Sequence, residues 1–413
     1  MAIPQRGPRG RSRPVPARPE GPRAVGLDEL ALATALSLGL VALWRLIVPL
    51  ARTACCDALQ YLAMAGDPAR TVPAPYSHRV LAPRLVHLLG GDPATRFHLL
   101  SLVCLAATGP LVHVLARQLG ASPASALVAT AGLLCSRGWA FYLADPWLSD
   151  PAALLLVAAA FVALGAGRLR ALAAILVPLA GTREIFVGLA LPVWAWLRQR
   201  LGGLTAAAAV ALVMLPGCLV WMWIVATVPS TGLSGLDRLS APVVAEVWRT
   251  RVAADGWRWV ANAFAMSLGC WWVLAAASWR DPRVRPLGWW LVAVFGQCLL
   301  GGDWSRFALY AFCVVIPAAA VTLERAARRG PLLALLAAQA AVPVLDVLAG
   351  RPALNYPGPS LVVTLMLMVA TAAVLLVPDA GRRRPRGGSR VAAQAEADEF
   401  LDRLAAQLEE QED

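Results

Sequence analysis

The sequence predicts an all-α integral membrane protein of about ten transmembrane helices plus a re-entrant or broken helix pair. Mean hydropathy is +0.62, and hydrophobic residues make up 59% of the chain against 15% charged. Apolar stretches of about 17 to 25 residues recur, each long enough to cross a hydrocarbon core of roughly 30 Å. Helices rather than a barrel follow, because each such stretch satisfies its own backbone hydrogen bonds.

Residues 1–25 carry Arg6, Arg9, Arg11, Arg13, Arg18 and Arg23 among prolines and glycines, too little apolar surface to fold alone. The polytopic domain occupies 26–379, with spans expected near 27–50, 97–116, 123–143, 150–166, 204–228, 257–279, 286–302, 306–323, 331–349 and 360–378. The first apolar run exceeds a signal-peptide core and lacks a clear small-residue cleavage site, so it is read as retained. Residues 380–413 combine an Arg cluster at 382–386 with an acidic stretch in which Phe400, Leu401, Leu404 and Leu408 recur at helical spacing. That is a short amphipathic helix, either a face for a protein partner or a solvated tail.

Residues 171–197 need a different solution. Arg168 and Arg170 flank one end and Arg198 and Arg200 the other, so the positive-inside rule places both ends in the cytoplasm. Thr182-Arg183-Glu184 divides the stretch, which predicts two short helices, about 171–181 and 185–197, meeting at a charged turn. Broken helices at membrane depth are tolerated where they line a water-filled cavity; a single tilted span is the alternative. With the re-entrant pair, both termini lie in the cytoplasm and every polar island faces the outside or an outward-open cavity.

Those islands are Asp57 to Arg84, Asp145-Pro-Trp-Leu-Ser149-Asp150, Thr182-Arg183-Glu184 and Asp303-Trp304-Ser305-Arg306. Charge in or beside a bilayer is costly enough to mark a functional site by default. Within the first island, residues 78–90 place Val80, Leu81, Leu85, Leu88 and Leu89 on one side and Arg79 and Arg84 on another, as in a helix lying in the interface plane. The segment from Pro229 to Gly256 is long enough to cover the islands.

An external Asp-x-x-x-Tyr loop (Asp57, Tyr61), an Arg79-Val-Leu-x-Pro83 segment, Arg183-Glu184 on a broken helix and a late Asp303-x-x-Arg306 together resemble the GT-C superfamily of membrane glycosyltransferases. The resemblance covers roughly residues 27–325. It implies transfer of a sugar from a polyprenyl-phosphate carrier to an acceptor at the outer face, with membrane lipid and the lipid-linked sugar as partners. It also implies that Asp57 accepts the acceptor's hydroxyl proton or holds a divalent ion near the phosphate, with Asp67 the second candidate. The family's usual acidic doublet is replaced here by Cys55-Cys56-Asp57. Arg79, Arg183 and Arg306 are candidates for gripping the phosphate, since a guanidinium matches phosphate oxygens with a planar fork of donors. Glu184 orients Arg183 or holds a ligand hydroxyl, and Tyr61, Tyr76 and Trp304 stack on a sugar or mark the headgroup level. His78, Asp145, Asp150 and Asp303 complete the candidate binding set.

Structural readings compete with these roles. Arg183 and Glu184 fit an ion pair between packed helices, Asp303 and Arg306 a helix cap, and Asp145 and Asp150, each followed by Pro, loop and N-cap punctuation. The four histidines show no ligand spacing, and six cysteines fall within spans as small apolar residues. No phosphate-cradling glycine loop is present. The net charge of +12 comes entirely from Arg in tails and short loops, where topology explains it, so nucleic acid is excluded as a partner. A transporter or lipid-sugar flippase also places paired charges in a cavity, but no internal repeat accompanies them. A non-catalytic assembly partner is the third reading.

Overall fold

The computed structural model describes residues 25–50, 56–231, 256–300, 304–348 and 359–377, with isolated positions between 242 and 253. Among them the fold is helical, apart from a parallel two-residue pairing of Val72–Pro73 with Ser230–Thr231. The chain divides into residues 1–372 and 373–413. The Arg-rich N-terminal tail and the amphipathic segment around Phe400 lie outside the described residues.

Among the described residues, four helices are long and apolar enough to cross a membrane: α1 (Leu27–Ile47), α4 (Pro93–Gln118), α10 (Gly203–Thr227) and α16 (Arg329–Leu348). Two bent pairs raise the number to six, α5 (Pro123–Leu134) with α6 (Arg137–Ala144) at 47°, and α11 (Gly256–Ser267) with α12 (Cys270–Ser278) at 88°. The expectation of ten spans is therefore corrected. Residues 150–166 fold as the 16-residue α7 (Asp150–Gly165), and 286–302 contain the 12-residue α13 (Trp289–Leu300). At 1.5 Å per residue, 12 residues reach about 18 Å. The run at 306–323 is divided between α14 (Trp304–Leu309) and α15 (Phe312–Arg325). Apolar content reads the same whether a helix crosses the bilayer or packs inside the protein.

α15 lies in the core of the 1–372 unit. Every residue from Phe312 to Leu323 is buried, enclosed by α4, α5 and α12. α1 and α10 have the opposite character, since Leu38 and Leu43 on α1, and Leu212, Leu219 and Trp223 on α10, are exposed. Apolar surface on this scale is what a helix shows to lipid.

Local sequence sets the breaks. Asp92 caps α4 by accepting from the Thr95 amide at 2.8 Å, with Pro93 next in line. Ser136 caps α6 in the same way, which ends α5 at the 47° bend. At the 88° bend Gly269 has φ +51°. Gln339 of α16 clamps this turn, its side-chain oxygen accepting from the Cys270 amide at 2.5 Å and its amide donating to the Leu268 carbonyl at 2.9 Å. A Cβ at position 269 would sit 2.5 Å from the Gln339 amide nitrogen. Gly269→Ala should therefore destabilise the protein by about 1–3 kcal/mol from the backbone conformation alone. An unchanged thermal midpoint in detergent would contradict this reading.

The interruption expected inside 171–197 is present. α8 (Leu169–Ala180) stops at Gly181, Glu184–Leu189 form a 3-10 segment, and α9 (Ala190–Arg198) follows. Pro178 lies within the last turn of α8, and the Thr182 hydroxyl donates to its carbonyl at 2.7 Å.

Candidate functional site

The first polar island is folded into α2 (Asp57–Gly66), a 3-10 turn at Tyr76–His78 and α3 (Leu81–Leu89). The Leu81 amide donates to the Gly181 carbonyl at 2.9 Å, which fixes this loop against the break between α8 and α9. The islands meet there.

Asp57 stands in the first turn of α2. Its Oδ1 accepts from the Tyr76 hydroxyl at 2.8 Å and its Oδ2 from Arg306 Nη2 at 2.7 Å. Arg306, on α14, lies between two acids, with its Nε 3.7 Å from Asp150 Oδ2. Asp150 opens α7, and its Oδ1 accepts from the Tyr310 hydroxyl at 2.9 Å and from Arg183 Nη1. The Asp150 and Arg183 side chains have no exposed surface at all. Arg79 grips Glu184 with Nε at 3.2 and 3.1 Å from its two oxygens, while Nη1 donates to the Tyr61 hydroxyl at 3.0 Å. Tyr61 packs edge-on against Tyr76 at 5.8 Å between centroids, joining the Arg79 and Asp57 halves. The Arg183 guanidinium stacks over Phe307 and Tyr310 at 5.4 and 5.5 Å.

Electrostatics outside the helical spans follow from this packing. Burial pushes the Asp57 carboxyl up, but the charge and hydrogen bond of Arg306 and the Tyr76 hydroxyl outweigh it and hold it below the ordinary carboxylate value. Burial and the neighbouring Asp57 charge together raise Tyr76 to about 12. Asp145, in the turn between α6 and α7, is pushed up to about 6 by burial and by the nearby Asp57 and Asp150, against the pull of Arg306. A carboxyl raised in the folded state from 3.8 to about 6 loses stabilisation as pH rises through that window. Asp145→Asn should thus raise the thermal midpoint at pH 7.5, and the gap should close as pH falls to about 4; a gap independent of pH would refute the assignment.

The network retains unused hydrogen-bonding capacity. Among the described residues, Arg183 Nε and Nη2, Asp145 Oδ1, the Ser149 and Tyr142 hydroxyls and His78 Nδ1 are buried without a hydrogen-bond partner. Buried polar atoms are ordinarily satisfied. Three guanidiniums converge here with spare donors on Arg183, an arrangement suited to an anion.

Of the residues singled out from sequence, Asp57, Tyr61, Tyr76, Arg79, Asp150, Arg183, Glu184 and Arg306 form one connected cluster, with Asp145 at its edge. His78 is buried beside it, and burial lowers its imidazole. Asp67 does not join. It follows α2 as an exposed residue and its carboxylate accepts from the Ala69 amide at 3.0 Å, which is turn capping. Trp304 is buried in a cluster with Ala263, Cys298 and Phe307. Asp303 lies outside the described residues. Arg183 pairs with Asp150 rather than with Glu184, which holds Arg79 instead. In α3, Leu85, Leu88 and Leu89 are exposed as an interfacial face requires, but Val80 is buried and Arg79 precedes the helix. Tyr310 and Phe307 are not among the residues the sequence singles out: Tyr310 sits in an apolar run, and Phe307, although it directly follows Arg306, is an aromatic of the kind that ordinarily packs in a core. Four of the chain's five tyrosines, Tyr61, Tyr76, Tyr142 and Tyr310, gather around these charges.

Among the described residues no three His, Cys, Asp or Glu side chains are placed to hold a metal ion. Among the described residues the free cysteines are buried or half-buried, apart from the exposed Cys56. No protein-family model, curated protein or solved structure matches the chain.

Proposed function

We propose that this protein is a GT-C-like membrane glycosyltransferase that moves a sugar from a polyprenyl-phosphate carrier to an acceptor at the outer face of the cell membrane. The observation that carries the reading is the convergence of Asp57 with Arg79, Arg183 and Arg306. A carboxylate able to take a proton stands beside three cations able to hold a phosphate. In the transfer step the acceptor hydroxyl gives its proton to Asp57, and its oxygen forms the bond to the anomeric carbon. The bond from that carbon to the carrier phosphate breaks, and the phosphate leaves with the electron pair, its charge taken up by the guanidiniums.

Arg306 makes the site responsive to substrate. With no phosphate bound, it neutralises Asp57 and depresses its basicity. A phosphate that draws Arg306 away leaves Asp57 with Tyr76 alone and a stronger base. Coupling of this kind keeps the carboxylate quiescent until the carrier arrives. Both termini are assigned to the cytoplasm, with the re-entrant pair α8 and α9 opening outward. The flippase reading has less behind it, because no repeat relates the two halves of the chain. Membranes containing the protein should transfer radiolabel from at least one member of a panel of polyprenyl-phosphate sugars, and membranes lacking it should not; equal transfer in both would reject the proposal.

A further inference from the structure

The first loop, together with Val228 and Pro229, lines a small cleft at Ser77. We propose that it seats the phosphoryl headgroup of a membrane lipid, in a site separate from the ion-paired network. This assignment stands on the cleft itself and does not require sugar transfer.

Its wall is apolar. Met64 and Val80 are buried in one cluster with Val228 packed against them, and all three line the cleft. Its charge is positive. Arg70 and Arg84 line it and are exposed, and among the described residues neither guanidinium makes an ion pair or hydrogen bond, whereas Arg79, Arg183 and Arg306 are all bound to carboxylates. A hydrogen-bond donor is also left over. Ser77 lines the cleft with its hydroxyl buried and without a partner. Two unengaged guanidiniums and a hydroxyl on an apolar wall suit a phosphate attached to a hydrocarbon.

The neighbouring surface selects a lipid over a soluble anion. α3, which carries Arg84, leaves Leu85, Leu88 and Leu89 exposed by 40%, 80% and 56%. Leucines so exposed next to cations describe a helix lying at the boundary of headgroups and acyl chains. Acyl chains would rest on these leucines while the phosphate reaches Arg70, Arg84 and Ser77. The cleft and the network share the Tyr76–Arg79 turn, so a lipid in the cleft bears on one wall of the Asp57 site.

The test uses the full chain in detergent, with native mass spectrometry to count bound phosphatidylglycerol. Arg70→Gln/Arg84→Gln should lower the apparent affinity by about tenfold or more, as expected for loss of two phosphate contacts. Its thermal midpoint should be unchanged, because both side chains are exposed. Ser77→Ala, which leaves both arginines in place, should weaken binding by a smaller factor. Equal phosphatidylglycerol binding by wild type and the double variant would overturn the proposal. Displacement of the lipid by millimolar inorganic phosphate would overturn its lipid character. Polyprenyl monophosphate competing at equimolar level would identify the carrier as the source of the headgroup, and failure to compete would identify bulk phospholipid; either result upholds the site.

Discussion

Asp57→Asn is expected to lower sugar transfer by about 10² to 10⁴-fold, the usual contribution of a positioned general base. The amide keeps the shape of the carboxylate, its one oxygen can still accept from Arg306 and its NH2 can donate to the Tyr76 hydroxyl oxygen, so most of the network's geometry survives while the proton acceptor is lost. Binding of the carrier should weaken little or even improve, since the substitution frees Arg306 from its 2.7 Å ion pair. The loss therefore belongs in kcat rather than KM. Initial rates over a range of donor concentrations, at equal protein level, check both parts. Undiminished kcat would place the reactive group elsewhere.

Asp150→Ala should be the most destabilising single change in the site. It leaves the Arg183 guanidinium with no exposed surface and without its carboxylate, and it removes the acceptor of the Tyr310 hydroxyl. Breaking a buried pair from one side costs about 3–5 kcal/mol. Removing both charges with Asp150→Ala/Arg183→Met should recover part of the loss, because the stranded charge, not the missing attraction, dominates. Thermal midpoints of the two single variants and the double variant in one detergent decide the matter. A double variant no more stable than Asp150→Ala would show that the pair does not act as a unit.

The meeting of the islands was legible because charge is rare in this chain. Asp57, Asp150, Arg183 and Arg306 stand out against apolar flanks, and only a common cavity satisfies all of them. Their partners were less legible. Pairing of Arg183 with Asp150 depends on how α7 and α8 pack, which sequence spacing does not reveal. Tyr310 carries no signal, as an aromatic residue inside an apolar run reads as core, and Phe307 has only its adjacency to Arg306 to mark it. Asp67 is ambiguous in sequence, because an acid after a helix serves turns as readily as chemistry, and in the structure it caps the turn at Ala69. The span count failed for a related reason: hydropathy reads the same for the short α7 and α13 and the buried α15 as for a helix that crosses the bilayer, and it does not register the bends at Ser136 and Gly269 within two of the expected spans. Buried pairs elsewhere, such as Arg137 with Asp346 at 3.1 Å, were equally hidden, each partner lying alone in its own helix.

The proposed activity is chemical transfer at a site built around Asp57 and three arginines. Its most direct test places the purified protein in liposomes with a radiolabelled polyprenyl-phosphate sugar and an acceptor outside. Label in the acceptor and one free polyprenyl phosphate released per sugar moved are the expected result. Donor that crosses the bilayer intact, with no free carrier released, would contradict it and identify a flippase instead.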